Sequence, residues 1–227
     1  MGYVQASVGL AVMIALSLVG SDVGAAVQSK CLVAKNRCVS KKAEALVNCE
    51  RKAQKPGNPT DPNTNDCVDK VRRKFDGGDK PEKGCFENLE NRKDSDCVTL
   101  DDTAAAEELV DSCVAAFVAA IDPPPITQTK CGAAKLKCVA QKLKSILACY
   151  RLAQTPGKPT DPNTKDCITK AQDSFDGGVR RPTKGCFEKI ESAGKNDCQP
   201  PLDNTLDLEV LVDDCADRLV GFLEGAG

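Results

Sequence analysis

Residues 28–55 read QSKCLVAKNRCVSKKAEALVNCERKAQK, twenty-eight positions without Pro or Gly. Leu32, Val39, Leu46 and Ala53 recur at steps of seven, which predicts one long helix with a continuous apolar stripe. Pro56-Gly57 stops it. Cys31, Cys38 and Cys49 follow at steps of seven and eleven, both close to whole helical turns, so the three sulfurs share a face. At about 1.5 Å per residue they stand roughly 10 and 16 Å apart along the axis. A disulfide tolerates a Cα separation of only about 7 Å, so these cysteines cannot bond to one another. Their partners must lie on a segment running alongside.

If that segment is the antiparallel return of the chain, the partners arrive in reverse order: Cys49 with Cys67, Cys38 with Cys85, Cys31 with Cys97. The intervals are 11 and 7 on the helix and 18 and 12 on the return, a nearly constant ratio. Spacing alone leaves other connectivities open. Cys113 is left over, on a core-facing stripe. It is read first as a buried, unpaired thiol, with a bond between repeats or to another chain as alternatives.

All of this occurs twice. The seven cysteines recur as Cys131, Cys138, Cys149, Cys167, Cys186, Cys198 and Cys215, at an offset of 100 that grows to 101 and 102. The second ladder is therefore Cys149 with Cys167, Cys138 with Cys186 and Cys131 with Cys198, and Cys215 is the counterpart of Cys113. One insertion falls where FDGGVRRPTKGC replaces FDGGDKPEKGC, the other between Cys198 and Cys215. A second helix is expected from Asp61 or Thr64 to Asp76, ahead of Gly77-Gly78, then a short piece near Cys85 and a last helix from Thr103 to Ile121. No strand pattern competes. The expected fold is all-α, two tandem disulfide-stapled small helical bundles. The expected divisions are a signal peptide over 1–26, repeat 1 over 27–122, a Pro-rich spacer over 123–127 and repeat 2 over 128–227.

The apolar run SVGLAVMIALSLVG, followed by GAA, has signal-peptide length and predicts export with cleavage after Ala25 or Ala26, although no Lys or Arg precedes it. Fourteen cysteines in an exported chain read as a disulfide framework. The alternative, thiolate sites for metal or redox chemistry, has no histidine and no CxxC pair to build on. Without Asp22 the mature chain carries 31 basic and 32 acidic residues, with six Phe and Tyr150 as its aromatics. That balance argues against nucleic acid. No membrane span is expected in the mature chain. The absence of histidine also removes Ser-His and Cys-His nucleophile pairs, and no phosphate-binding glycine pattern is present. The expectation is a secreted or periplasmic structural or binding module with no catalytic residues and no cofactor, whose protein or surface partner is unidentified.

Thirteen of the seventeen residues from Arg51 to Cys67 are identical in the second copy, including DPNT. Asp61, Asn63 and Asn65 fall at the first, third and fifth positions of a calcium loop, but Asp66 and Arg72 stand where that loop needs Gly and Glu. Asp61, Asp66, Asp161 and Asp166 are thus weak calcium candidates, and calcium-dependent adhesion is a third function reading. The preferred reading is a turn whose geometry the fold requires. Lys35, Lys42, Lys135 and Lys142 lie beside the cysteine stripe. Their stems are expected to cover apolar surface while the amines reach water, with lowering of a thiol pKa as the alternative. The first helix is basic and the last acidic, so the two could pair within a unit; a polyanion-binding face is the other reading.

In the pattern KC…KC…C…DP…C…KF…GC…DC…E…VD.C each unit resembles the Cys-rich helical repeats of uncharacterised exported bacterial proteins. The resemblance implies export and carries no activity.

Overall fold

The computed structural model describes residues 26–93, 95–122, 127–192, 197–198 and 205–225. The apolar leader up to residue 25, spacer residues 123–126 and the second insertion lie outside them. The described residues hold eight α-helices and no strand.

Helix α1, Lys30–Ala53, starts where Ser29 turns extended and its hydroxyl accepts the Leu32 N–H at 3.1 Å. The Asp96 carboxylate accepts the next free amides, those of Lys30 and Cys31, at 2.8 and 2.7 Å. Leu32, Val39, Leu46 and Ala53 are all buried, so the seven-residue stripe is the core face.

Helix α2 spans Cys67–Asp76 and begins later than the expected Asp61 or Thr64. The reason is local. Asn65 and Asp66 have φ of 58° and 56°, and two consecutive left-handed residues cannot continue a right-handed helix. Thr64–Asp66 forms only a single 3₁₀ turn. Gly77 closes α2 at φ 88°, and a Cβ there would stand 2.3 Å from the Lys80 carbonyl, so only glycine fits. Short helix α3, Cys85–Glu90, and long helix α4, Thr103–Ile121, complete the copy.

The second copy repeats the plan as α5 (Lys130–Ala153), α6 (Cys167–Asp176), α7 (Cys186–Glu191) and α8 (Thr205–Leu223). Its first insertion lies at the fully exposed Val179. Side-chain pairings fix the path. Cys49, Cys38 and Cys31 meet residues of increasing number, so α2, α3 and the segment after them descend along α1. Lys35 meets Asp102 and Lys42 meets Asp111, so α4 ascends parallel to α1.

The copies face each other through α1 and α5, which are antiparallel. Gln28 Nε2 donates to the Ala153 and Lys158 carbonyls at 3.1 and 2.6 Å, while Gln128 Nε2 donates to Ala53 and Asn58 at 2.9 and 2.6 Å. Each residue in one latch is the repeat counterpart of the same residue in the other. The two copies are therefore related by a local two-fold, as the subunits of an isologous dimer would be. Buried apolar residues of all four long helices form one continuous core across that seam. The symmetry lapses at the seam where Asn36 donates to Gln154 Oε1 at 3.0 Å, since Leu136 takes the place of Asn36 at the other end, where Gln54 packs over Gly132.

Candidate functional site

Cys31 bonds to Cys97, Cys38 to Cys85 and Cys49 to Cys67. Cys131 bonds to Cys198, Cys138 to Cys186 and Cys149 to Cys167. Each shortest loop, 18 residues in separation, is worth about 3 kcal/mol in the chain-entropy description. Cys113 and Cys215, read from the sequence first as buried thiols, are bonded to each other. The correction has a geometric cause: equivalent residues near a two-fold axis lie opposite one another, and a single copy gives no view of that axis. No cysteine is free. The thiolate reading of function has no thiol left to use, and neither does the suggestion that lysines tune one.

The four stripe lysines also depart from expectation. Their amines do not reach water; Lys35, Lys42, Lys135 and Lys142 are all buried. Each ammonium lies over a phenylalanine ring, Lys35 at 4.9 Å from Phe86 and Lys42 at 5.0 Å from Phe75. In the second copy Lys135 and Lys142 take Phe187 and Phe175. Carboxylates close each site: Glu90 and Asp102 on Lys35, Glu107 and Asp111 on Lys42, Glu191 on Lys135, Glu209 and Asp213 on Lys142. The basic first helix and acidic last helix of each copy do pair, in the interior. A buried ammonium without such partners would be too costly to keep.

The repeated DPNT loop is used for its own backbone. Asp61 Oδ1 accepts the Asn63 N–H at 2.8 Å and the Thr64 hydroxyl donates to the Asp61 carbonyl at 2.7 Å; Asp161, Asn163 and Thr164 match this. Asn63 Oδ1 then reaches forward to accept the Asp69 N–H at 3.1 Å, and Asn163 does the same for Ile168 and Thr169. The loop thereby caps α2 and α6 from a distance. Asp66 and Asp166 stand at the helix starts without side-chain capping bonds. Among the described residues no group of three or more Asp, Glu, Cys or His gathers to hold a metal ion.

Above this loop lies a groove of about 870 Å³ between α1 and α2 of the first copy, continuing into a smaller one of about 430 Å³ toward α3. Arg37, Lys41 and Lys52 share one stripe of α1 and form one wall; Lys70 and Lys74, one turn apart on α2, form the other. Lys83 and Arg92 close the α3 end. All seven side chains are exposed. None of them forms an ion pair among the described residues. Asp61 is the one acidic residue in the lining among the described residues. Beyond the groove, burial and then the charge of Arg37 lower the pKa of Arg151. The floor is apolar: Ala45 and Val71 are half-buried beside the Cys38–Cys85 and Cys49–Cys67 bonds.

Sequence reasoning did not find Gln28 and Gln128, nor Asp96 and Asp197. Each pair sits at equivalent positions of the repeat, and each Asp directly precedes the cysteine that bonds the start of its long helix. That retention was the available signal. Among the described residues no helix is long and apolar enough to cross a membrane. No protein-family model, no curated protein and no solved structure matches the chain.

Proposed function

We propose that this chain is an exported, non-catalytic binding module: a rigid all-α frame, held by disulfides, that presents the basic groove of its first copy to a partner. The observation that carries the reading is the engagement of all fourteen cysteines in seven bonds around a pre-formed open groove. Disulfide density of this kind persists in oxidising compartments. Ala26 is buried and its N–H donates to the Thr160 carbonyl at 3.2 Å, which favours removal of the apolar leader before Ala26 rather than after it.

Thermal melting of the mature protein tests this reading against its rivals. Reductant should collapse the midpoint, whereas a chelator or added calcium should leave it unchanged. A midpoint that falls with chelator, or one indifferent to reductant, would contradict the proposal.

A further inference from the structure

The two copies share a backbone plan but set their cations at different positions along it. Lys41, Lys52, Lys74 and Arg92 of the first copy correspond to Gln141, Leu152, Ser174 and Ala193 of the second. Four of the seven cations are thus specific to the first copy, while its groove residues Asn58, Asn65 and Asn88 correspond to Lys158, Lys165 and Lys189 in the second, so the copies differ in where the cations stand rather than in carrying them at all. Helix-propensity or core requirements do not explain the difference, because these side chains are exposed and the same fold is built with or without them. Their placement follows the groove. Arg37 and Lys52 are fifteen residues apart on one face of α1, a rail of about 22 Å. An extended peptide at about 3.3 Å per residue covers that length with about seven residues.

The floor distinguishes among anions. A nucleic acid or a sulfated polysaccharide would satisfy the cations but would bring no apolar side chains to Ala45 and Val71. Among the described residues the groove lining also offers no exposed aromatic ring on which a base could stack. An extended peptide alternates its side chains, so acidic residues can meet one wall or the other while apolar ones settle on the floor. The disulfides beneath hold the site open in advance, which lowers the ordering cost of binding to the peptide alone.

We infer that the groove between α1 and α2 of the first copy binds an extended acidic, partly apolar peptide segment of a partner protein. The inference rests on the binding-module reading above and names the partner chemistry.

The test uses the oxidised full mature chain and a fluorescent eight-residue peptide of alternating Glu and Leu, with a Lys–Leu peptide, a sulfated polysaccharide and duplex DNA as comparisons. The expected result is saturable binding of the Glu–Leu peptide that weakens by tenfold or more between low and physiological salt. The variant K41Q/K52L/K74S/R92A, which installs the second copy's own residues, should lose at least tenfold in affinity with its melting midpoint unchanged. The reciprocal variant Q141K/L152K/S174K should gain a second site. Equal peptide affinity in the wild type and the quadruple variant overturns the inference, as does failure of the Glu–Leu peptide to bind at low salt. If the Lys–Leu peptide, polysaccharide or DNA binds saturably and the acidic peptide does not, the partner chemistry is wrong but a binding module remains.

Discussion

Lys35 shows how a single residue can be both expensive and indispensable. Its side chain is 2 % exposed, with Glu90 and Asp102 at 6 % and 10 %, so three charges have left water together. The ammonium donates a further hydrogen bond to the Thr99 carbonyl at 2.7 Å. Lys35→Met keeps the volume but strands two buried carboxylates, and should cost about 3–5 kcal/mol in a denaturant titration. A loss under 1 kcal/mol would mean that the network is solvated. Asp96 works by charge at a helix end. Slight desolvation acts against it at this exposed position, yet the Cys31 and Lys30 amides hold its carboxyl below the usual carboxylate range. A carboxyl with a lowered folded pKa stabilises fully above its unfolded value and loses that contribution as pH falls through the folded one. Asp96→Asn should therefore destabilise by about 1 kcal/mol at pH 7, and the gap from wild type should close below about pH 4. A gap that persists in acid would show that the role is steric.

At the scale of elements, α1 and α4 were legible because periodicity and a lack of breakers agree over about twenty residues. The sulfur positions on α1 could be read for the same reason: a helix converts spacing into direction. The start of α2 could not, since Asp61-Pro62 looks like a cap and first turn yet serves a turn placed one step earlier. Nothing in composition announces the left-handed pair Asn65-Asp66. The capping atom is Asn63 Oδ1, six residues upstream of the amide it serves. Asn63→Ala should lower stability by about 1 kcal/mol and speed hydrogen exchange at the Asp69 amide, with Cys49–Cys67 intact. Unchanged exchange there would locate the loop's importance elsewhere. The groove was half legible. Its cations are visible in the sequence, but which lysines are neutralised depends on facing carboxylates that only packing reveals.

Across the whole molecule, the two-fold decides what the repeat means. Two copies along a chain read as neighbours; reciprocal latches, a shared core and a bond between equivalent cysteines make them halves of one body. The halves differ along these positions: Lys41, Lys52 and Lys74 of the first correspond to Gln141, Leu152 and Ser174 of the second, while Asn58 and Asn65 correspond to Lys158 and Lys165. The Cys113–Cys215 bond closes a circuit already shortened by Cys131–Cys198, with 18 residues from Cys113 to Cys131 and 17 from Cys198 to Cys215. A loop of about 35 residues corresponds to about 3–4 kcal/mol in the chain-entropy description. C113S/C215S should therefore lower the melting midpoint while leaving helicity and the other six bonds in place; loss of helicity at room temperature would assign the bond a folding role instead. The most direct measurement is peptide mapping of the natively folded, unreduced protein by mass spectrometry. The account predicts seven linked pairs, with the Cys113 peptide joined to that of Cys215 and every other link confined to one copy. Free thiols, or Cys113 joined to any other partner, would contradict it.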